Sequence, residues 1–370
     1  MTAVVGLMAD PGLPAALARK VRRDLEEELH RRVDDRTDWR VDVVDETVAL
    51  DAEGGIDLVR WTDQMSDRED WDMVLYITDL PRFERGRPVV AEVSRERSAA
   101  ILFLPVLGVV RLRQRVTETL ARMAGHLYRG AVDTGSGGRL VTRDPDHPEA
   151  LNALTPLSGT TSEAAASSEQ IQSGGPWATV RLLTGMVQSN RPGRLPRAMT
   201  KSAAAAAAAG AYGVFFGSIW TLATDAGVDR LGLVSVLAIA AMTTWLIATN
   251  GLWARRSGWS SRRWSALDNL ATVLTVGVAV LMIYAGLFVM LLLAAAVVVP
   301  PHHLTEVLGV AAGPEHYLKL SWLAASLGLI AGAIGSSFDD DEAIRNATYS
   351  RREAERRALH HRIDEREDRD

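Results

Sequence analysis

Cysteine is absent from the 370-residue chain, which excludes disulfides and thiolate metal sites. The phosphate-binding glycine loops are missing as well. "VVGLMADPGLP" leaves an apolar run and enters a charged one, but it contains neither G-x-G-x-x-G nor G-x-x-x-x-G-K-[ST]. No G-x-S-x-G nucleophile elbow occurs. The two familiar routes to a nucleotide therefore drop out. The net charge is −5, and no basic run is interleaved with aromatics, which argues against a general nucleic-acid binder. The opening "MTAVVGLMAD" has no positive segment and meets Asp10 early, which predicts that no secretory signal is present.

Charge is missing from one half only. A mean hydropathy of +0.02 averages a charge-rich region, 1–200, with a nearly uncharged one, 201–338. The tail 339–370 is charged almost throughout. A spanning helix needs about 20 apolar residues, because each adds about 1.5 Å across a core about 30 Å thick. Four stretches qualify: Ala203–Ala223, Leu231–Trp253, Leu270–Val299 and Leu320–Ser337. The third is longer than one perpendicular span and has no polar break. It predicts a single tilted or protruding helix, stopped by Pro300 and Pro301.

Basic residues set the orientation. Arg191, Arg194, Arg197 and Lys201 precede the first span, and Arg255, Arg256, Arg262 and Arg263 lie between the second and third. Arg345, Arg351, Arg352, Arg356 and Arg357 follow the fourth. The two remaining loops hold only Arg230 and Lys319. Both termini are thus expected in the cytosol, with the protein multi-pass in the cell membrane. The spans contain no Asp, Glu, Lys, Arg or His, which argues against an ion pump or a proton-coupled transporter. Small residues recur instead at four-residue spacing: Gly213 and Gly217 in the first span, Gly328, Gly332 and Ser336 in the fourth. That spacing predicts close helix packing, within the chain or in a homo-oligomer.

The cytosolic half alternates strand and helix signals. Residues 3–9, 39–48 and 72–81 read as strands, with 72–81 central. "RPVVAEVS" and "AAILFLPVLG" are two further strands. Charged helical stretches follow Pro14, lie near 56–65 and run over 109–128. The expectation is an α/β domain at 1–130 with a mixed sheet in the order βαβαβββα, antiparallel near 85–100, followed by an all-α four-helix transmembrane domain. Residues 131–175, rich in Gly, Ser, Thr, Pro and Ala, read as a flexible linker. Residues 176–200 read as a juxtamembrane segment. Trp177, Val180, Leu183 and Val187 there form an apolar stripe suited to the inner leaflet.

"ARMAGHLYRG", 121–130, closes the last helix of that domain. A zinc-protease helix needs two histidines one turn apart and a glutamate beside the first. With His126 as the second ligand, Arg122 stands at the first and Met123 at the base. Arginine does not ligate zinc, and the other histidines are scattered along the chain. No metal and no cofactor are expected, and His126 reads as a polar tip before a Gly130 cap. The order of strands, edge hairpin and helix over roughly 1–130 resembles a metzincin or archaemetzincin half-domain that lacks its zinc motif. The whole chain is similar to a group of uncharacterised actinobacterial multi-pass membrane proteins through "YITDLPRFERGRPVVAEVS", "LPVLG", "TVRLLTGMVQSNRPGRL" and "FDDDEAIRNATYSRREAERR". That resemblance implies architecture and no activity.

The functional expectation is a membrane-anchored cytosolic module that binds an unidentified protein or ligand. Two alternatives stay open. One is an enzyme with a non-standard site at Asp79, beyond the central strand, joined by Arg87 and Glu92. The other is a small transporter or pore for uncharged solutes.

Overall fold

The computed structural model describes residues 2–51, 56, 61, 71–84, 86–94, 97–133, 160–164, 169–174, 177–253, 262–350 and 355. The chain divides into two compact units: Met1–Ser189 with Arg256–Trp264 and Ser350–Asp370, and Asn190–Arg255 with Ser265–Tyr349.

The first unit is built on a mixed sheet. Its strands are β1 (Thr2–Ala9), β2 (Asp38–Asp45), β3 (Met73–Thr78), β4 (Arg82–Glu84), β5 (Arg87–Ser94), β6 (Ala99–Phe103), β7 (Thr160–Ala164) and β8 (Glu169–Ser173). They lie in the order β2-β1-β3-β6-β5-β8-β7, with β4 paired to β5. The β1–β2, β1–β3 and β3–β6 pairs are parallel, whereas β5 runs antiparallel to β4, β6 and β8. The continuous apolar runs of β1 and β3 are buried, as strands covered on both faces must be. β2 lies at the sheet edge and starts with alternation, Trp39 and Val41 buried against exposed Asp38 and Arg40. Helix α1 (Leu13–Arg32) begins with Pro14 in its first turn, a residue already shaped for that position. It buries Leu17, Val21, Leu25 and Leu29 along one face. Helix α2 (Leu112–Asp133) follows β6 and passes Gly130 without ending there. The helix expected near 56–65 lies outside the described residues except Ile56 and Trp61, as do 134–159 of the expected linker.

Two expectations change. β7 and β8 both fall within 131–175, so part of that stretch belongs to the sheet. It has few apolar side chains, but the open edge of β5 supplies backbone partners, and Ile171 adds a fully buried side chain. The second change concerns helix α3 (Trp177–Asn190), expected against lipid. It packs on the first unit through Ala178, Leu182 and Met186. A Cβ at Gly185 would lie 2.0 Å from the Pro105 carbonyl oxygen, so only glycine permits this approach. Trp177 and Val180 of the predicted stripe are exposed instead.

The turn between α1 and β2 carries a pH-sensitive bond set. Asp34 accepts from the Arg36 amide (2.9 Å), Thr37 Oγ1 (2.7 Å) and Tyr128 Oη of α2 (3.3 Å). The Arg36 amide, followed by Thr37, holds its carboxyl below the usual 3.8. A depressed folded value contributes stability above the unfolded pKa, and that contribution disappears as pH falls through the folded value. The expected result is that Asp34→Asn lowers stability at pH 7 and that the gap from wild type closes as pH drops below 3.8. Denaturant titrations at stepped pH read this directly.

The second unit is helical: α4 (Leu195–Ala198), α5 (Thr200–Phe215), α6 (Gly217–Asp225), α7 (Val228–Thr249), α8 (Arg262–Val298), α9 (Pro301–Leu308), α10 (Pro314–Gly335) and α11 (Asp341–Thr348). Among the described residues, three helices are long and apolar enough to cross a membrane: Val228–Thr249, Ser265–Val298 and Pro314–Phe338. Leu233, Val236, Leu237, Leu293 and Val297 are exposed on them, an apolar surface larger than solvent tolerates. α8 is one unbroken helix of 37 residues, about 55 Å long.

The first apolar run departs from expectation. It is not one straight helix, because α5 and α6 meet at 86°. Phe216 leaves the helix there with φ −97° and ψ 113°. Gly213 and Gly217 flank it, and both are poor helix formers. Trp220 Nε1 donates to the freed Val214 carbonyl at 2.7 Å.

Close packing joins α5 to α10. A Cβ at Gly328 would lie 2.5 Å from the Ala206 oxygen, and one at Gly332 would lie 2.9 Å from Ala206 Cβ. Ser202 Oγ donates to the Gly332 carbonyl at 2.9 Å. On α5 the face is Ser202, Ala206 and Gly210. A Cβ at Gly213 would keep ordinary contact, 3.5 Å from Ala324 Cβ, and one at Gly217 would lie 3.6 Å from Val307 Cγ1. Ser336 accepts from Trp245 Nε1 at 3.1 Å, tying α7 to the end of α10. The Gly328–Gly332 face of α10 is filled by α5 within the chain.

Polar groups complete the bundle. Trp322 Nε1 donates to Ser235 Oγ at 2.6 Å, and Ser235, Tyr284 and Ser326 lie within 2.9–3.1 Å of one another. This knot links α7, α8 and α10. Asp339 accepts from the Lys201 and Ser202 amides at 2.9 and 3.1 Å. The carboxylate thereby caps the positive end of α5.

Candidate functional site

The parallel strands β1 and β3 end side by side, Ala9 opposite Ile77, and polar residues follow at once. Strand ends of this kind are where α/β sheets place ligands. Asp10, fully buried, is pinned by its backbone: its amide donates to the Ile77 carbonyl, and its carbonyl accepts from Ala15 at the start of α1, both at 3.0 Å. Its carboxylate accepts from Tyr76 Oη at 2.5 Å, and Tyr76 Oη accepts from the Val48 amide at 3.3 Å. A phenol on a buried strand needs such a partner. Trp61 tilts against Tyr76, with ring centroids 5.3 Å apart. Trp71 covers Gly6, where a Cβ would lie 2.2 Å from the indole.

A second pair lies across the sheet. Glu92 stands opposite Ile101 on β6, which stands opposite Tyr76 on β3. Glu92 is buried and meets Arg82 at 2.8 Å. Arg82 also donates to the Ile56 carbonyl at 3.3 Å.

The residues expected at the site separate as follows. Asp79 is buried just past β3, beside the Asp10 end. Glu92 is buried in the middle of the sheet. Arg87 sits at the exposed start of β5, opposite Glu84 across the hairpin, about 16 Å of strand from Glu92. Arg82, one strand earlier, pairs with Glu92. Asp10, Tyr76 and Arg82 were not singled out from the sequence. The signal available was Tyr76, a hydroxyl within the apolar run "MVLYIT".

His126 and Met123 are buried on α2 and Arg122 is half-buried. Among the described residues no group of three His, Asp or Glu side chains is placed to hold a metal ion. An open groove between α1 and α2 is lined by Asp24, Glu28, Arg31, Arg113 and Glu118. Its charges pair with one another, Arg113 with Asp24 and Arg31 with Glu28, and its lining is mostly charged residues, whereas small-molecule sites are lined mainly by hydrophobic and aromatic side chains.

The chemistry at the strand ends is one of fixation. Asp10, Tyr76 and the Val48 amide form one bonded chain, and Glu92 and Arg82 form another. Each ties a loop to the sheet. No family model, curated protein or solved structure matches the chain.

Proposed function

We propose that the chain is a multi-pass membrane protein whose N-terminal α/β unit works in the cytosol as a binding or regulatory module. The observation that carries this reading is the division of the molecule: a charged α/β unit, and a separate unit with three helices long and apolar enough for a bilayer. The Asp10 carboxylate at the strand ends bonds to a phenol, and the Glu92 carboxylate within the sheet to a guanidinium, both of their own unit. This suits a stable recognition scaffold better than a reacting centre, which keeps its groups available for substrate.

The bilayer is the first partner. The α5–α6 pair supplies the fourth crossing in spite of its bend, since the Val214 carbonyl freed there is taken up by Trp220 Nε1, and a broken helix is tolerated at membrane depth where its freed backbone groups are satisfied. Arginine placement then puts both termini in the cytosol.

Reporter fusions test this. Fusions before Met1 and after Asp370 are expected to be cytoplasmic, and one within 302–317 exported. If α5 and α6 entered and left on the same side, three crossings would remain and the two termini would report opposite sides. That outcome would sink the four-crossing arrangement. A cytoplasmic signal at all three places would sink the membrane reading itself.

A further inference from the structure

Two arginines meet beyond the end of β6, and among the described residues no carboxylate pairs with either. Arg181, on α3, donates from Nε to the Val106 carbonyl at 3.2 Å and from Nη2 to Ser173 Oγ at 2.5 Å. Arg115, near the start of α2, donates from Nη1 to the next carbonyl, Leu107, at 2.7 Å. Those carbonyls are consecutive in the short 3₁₀ turn Leu104–Leu107, so the two guanidiniums are held on neighbouring anchors. A guanidinium has more N–H donors than these bonds use.

Among the described residues, nothing neutralises the pair. Arg113, two residues before Arg115, is closed off by Asp24 through two 2.8 Å bonds. The first turn of α2 has no acidic residue, so the positive end of that helix adds to the same region. Burial first, and the charge of Arg115 second, hold Arg181 below the usual arginine value. Two like charges beside a helix N-terminus form an incomplete arrangement that an anion completes.

The backbone is shaped for it. Gly108 follows the turn at φ +72°, in the left-handed region, and a Cβ there would lie 2.6 Å from Arg181 Cγ. Glycine is what lets Arg181 lie over the turn.

We propose that Arg115 and Arg181 form a binding site for a phosphoryl anion, supplied by a lipid headgroup or by free phosphate. Planar guanidiniums match a phosphate's oxygens in pairs, which a lone lysine does not. The site deepens the binding-module reading and rests on it only in taking this unit as a binder. Exposed Trp177, one helical turn before Arg181, and exposed Val110 give the site an apolar rim.

The test uses the full-length protein and hydrogen exchange over 104–115 and 177–185. In detergent, inorganic phosphate is titrated against chloride at matched ionic strength. In nanodiscs, phosphatidylcholine alone is compared with phosphatidylcholine containing phosphatidic acid. Phosphate, phosphatidic acid or both are expected to protect the two segments, with chloride and neutral lipid ineffective. Arg115→Gln and Arg181→Gln are each expected to weaken that protection by about tenfold or more, and Arg115→Lys by less. Protection in the lipid arm alone names a headgroup, and protection in the phosphate arm shows that free phosphate suffices. Arg181→Gln also removes the bonds to Val106 and Ser173. If that variant fails to fold, Arg115→Gln decides alone. No protection by either probe, or equal protection in Arg115→Gln, overturns the site. Protection together with non-membrane reporter signals would leave the site standing while the membrane reading fell.

Discussion

Gly328→Leu is expected to abolish the pairing of α5 with α10. A Cβ at that position falls 2.5 Å from the Ala206 carbonyl oxygen and 3.2 Å from Gly210 Cα and N. These are backbone atoms, which cannot rotate aside as the end of a side chain can. The helices must separate, and with them go the Ser202–Gly332 bond and the cap that Asp339 places on α5. Overpacking alone costs about 1–3 kcal/mol, and the lost backbone proximity adds to it, since close approach is what drives helix association in lipid. Thermal unfolding in detergent, followed by tryptophan fluorescence, should show a large fall in midpoint and a broadened transition. Gly232→Ala on α7 is the control, because nothing lies within 4 Å of its added Cβ. That variant should match or slightly exceed wild type. A Gly328→Leu protein as stable as Gly232→Ala would show that α5 and α10 do not pack as described.

Arg82→Ala should destabilise the first unit, and Glu92→Gln in the same chain should restore much of the loss. Glu92 is buried, with only 7% of its side chain exposed, against 30% for Arg82. Removing one partner of a buried pair costs about 3–5 kcal/mol because the other charge stays buried. The exposure of Arg82 brings the expected loss to about 2–3 kcal/mol, since solvent screens part of the interaction. A double-mutant cycle in urea, read by circular dichroism, isolates the coupling. If Arg82→Ala costs nothing, the Arg82–Glu92 pair does not hold the β4–β5 hairpin to the sheet.

What the sequence reveals follows from which physical signal each element carries. The strand at 73–78 was legible because a short, continuous apolar run bounded by charge has few other solutions. Antiparallel pairing near 85–100 was legible because the connections are too short for a crossover. The bend at Phe216 was not. In a run where nearly every side chain is small or apolar, periodicity has no contrast, and the break rests on the backbone of one residue and the reach of Trp220. The docking face of α3 was misread for a similar reason. Both Trp177–Val180–Leu183 and Ala178–Leu182–Met186 are apolar, and only Gly185 against Pro105 selects the second. Arg87 and Arg82 lie on either side of one hairpin. The turn at Gly86, with its φ of +79°, folds β4 back so that Arg82 pairs with Glu92 although ten residues separate them. β7 and β8 join through their backbones, so their side chains announced little.

The position of β8 bears on how the N-terminal half is to be produced in isolation. A fragment cut at residue 130, where the apolar patterning of the α/β region stops, would strip β5 of the strand beside it and the α2–β6 corner of α3. The bared strand would present a row of unused amides and carbonyls next to Val89, Ala91 and Val93, which are fully buried in the intact chain. Such an edge recruits other chains. Truncation at 130 should therefore yield aggregates or swapped dimers, and a boundary at Ser189 a monodisperse product, although only about five dozen residues distinguish the two.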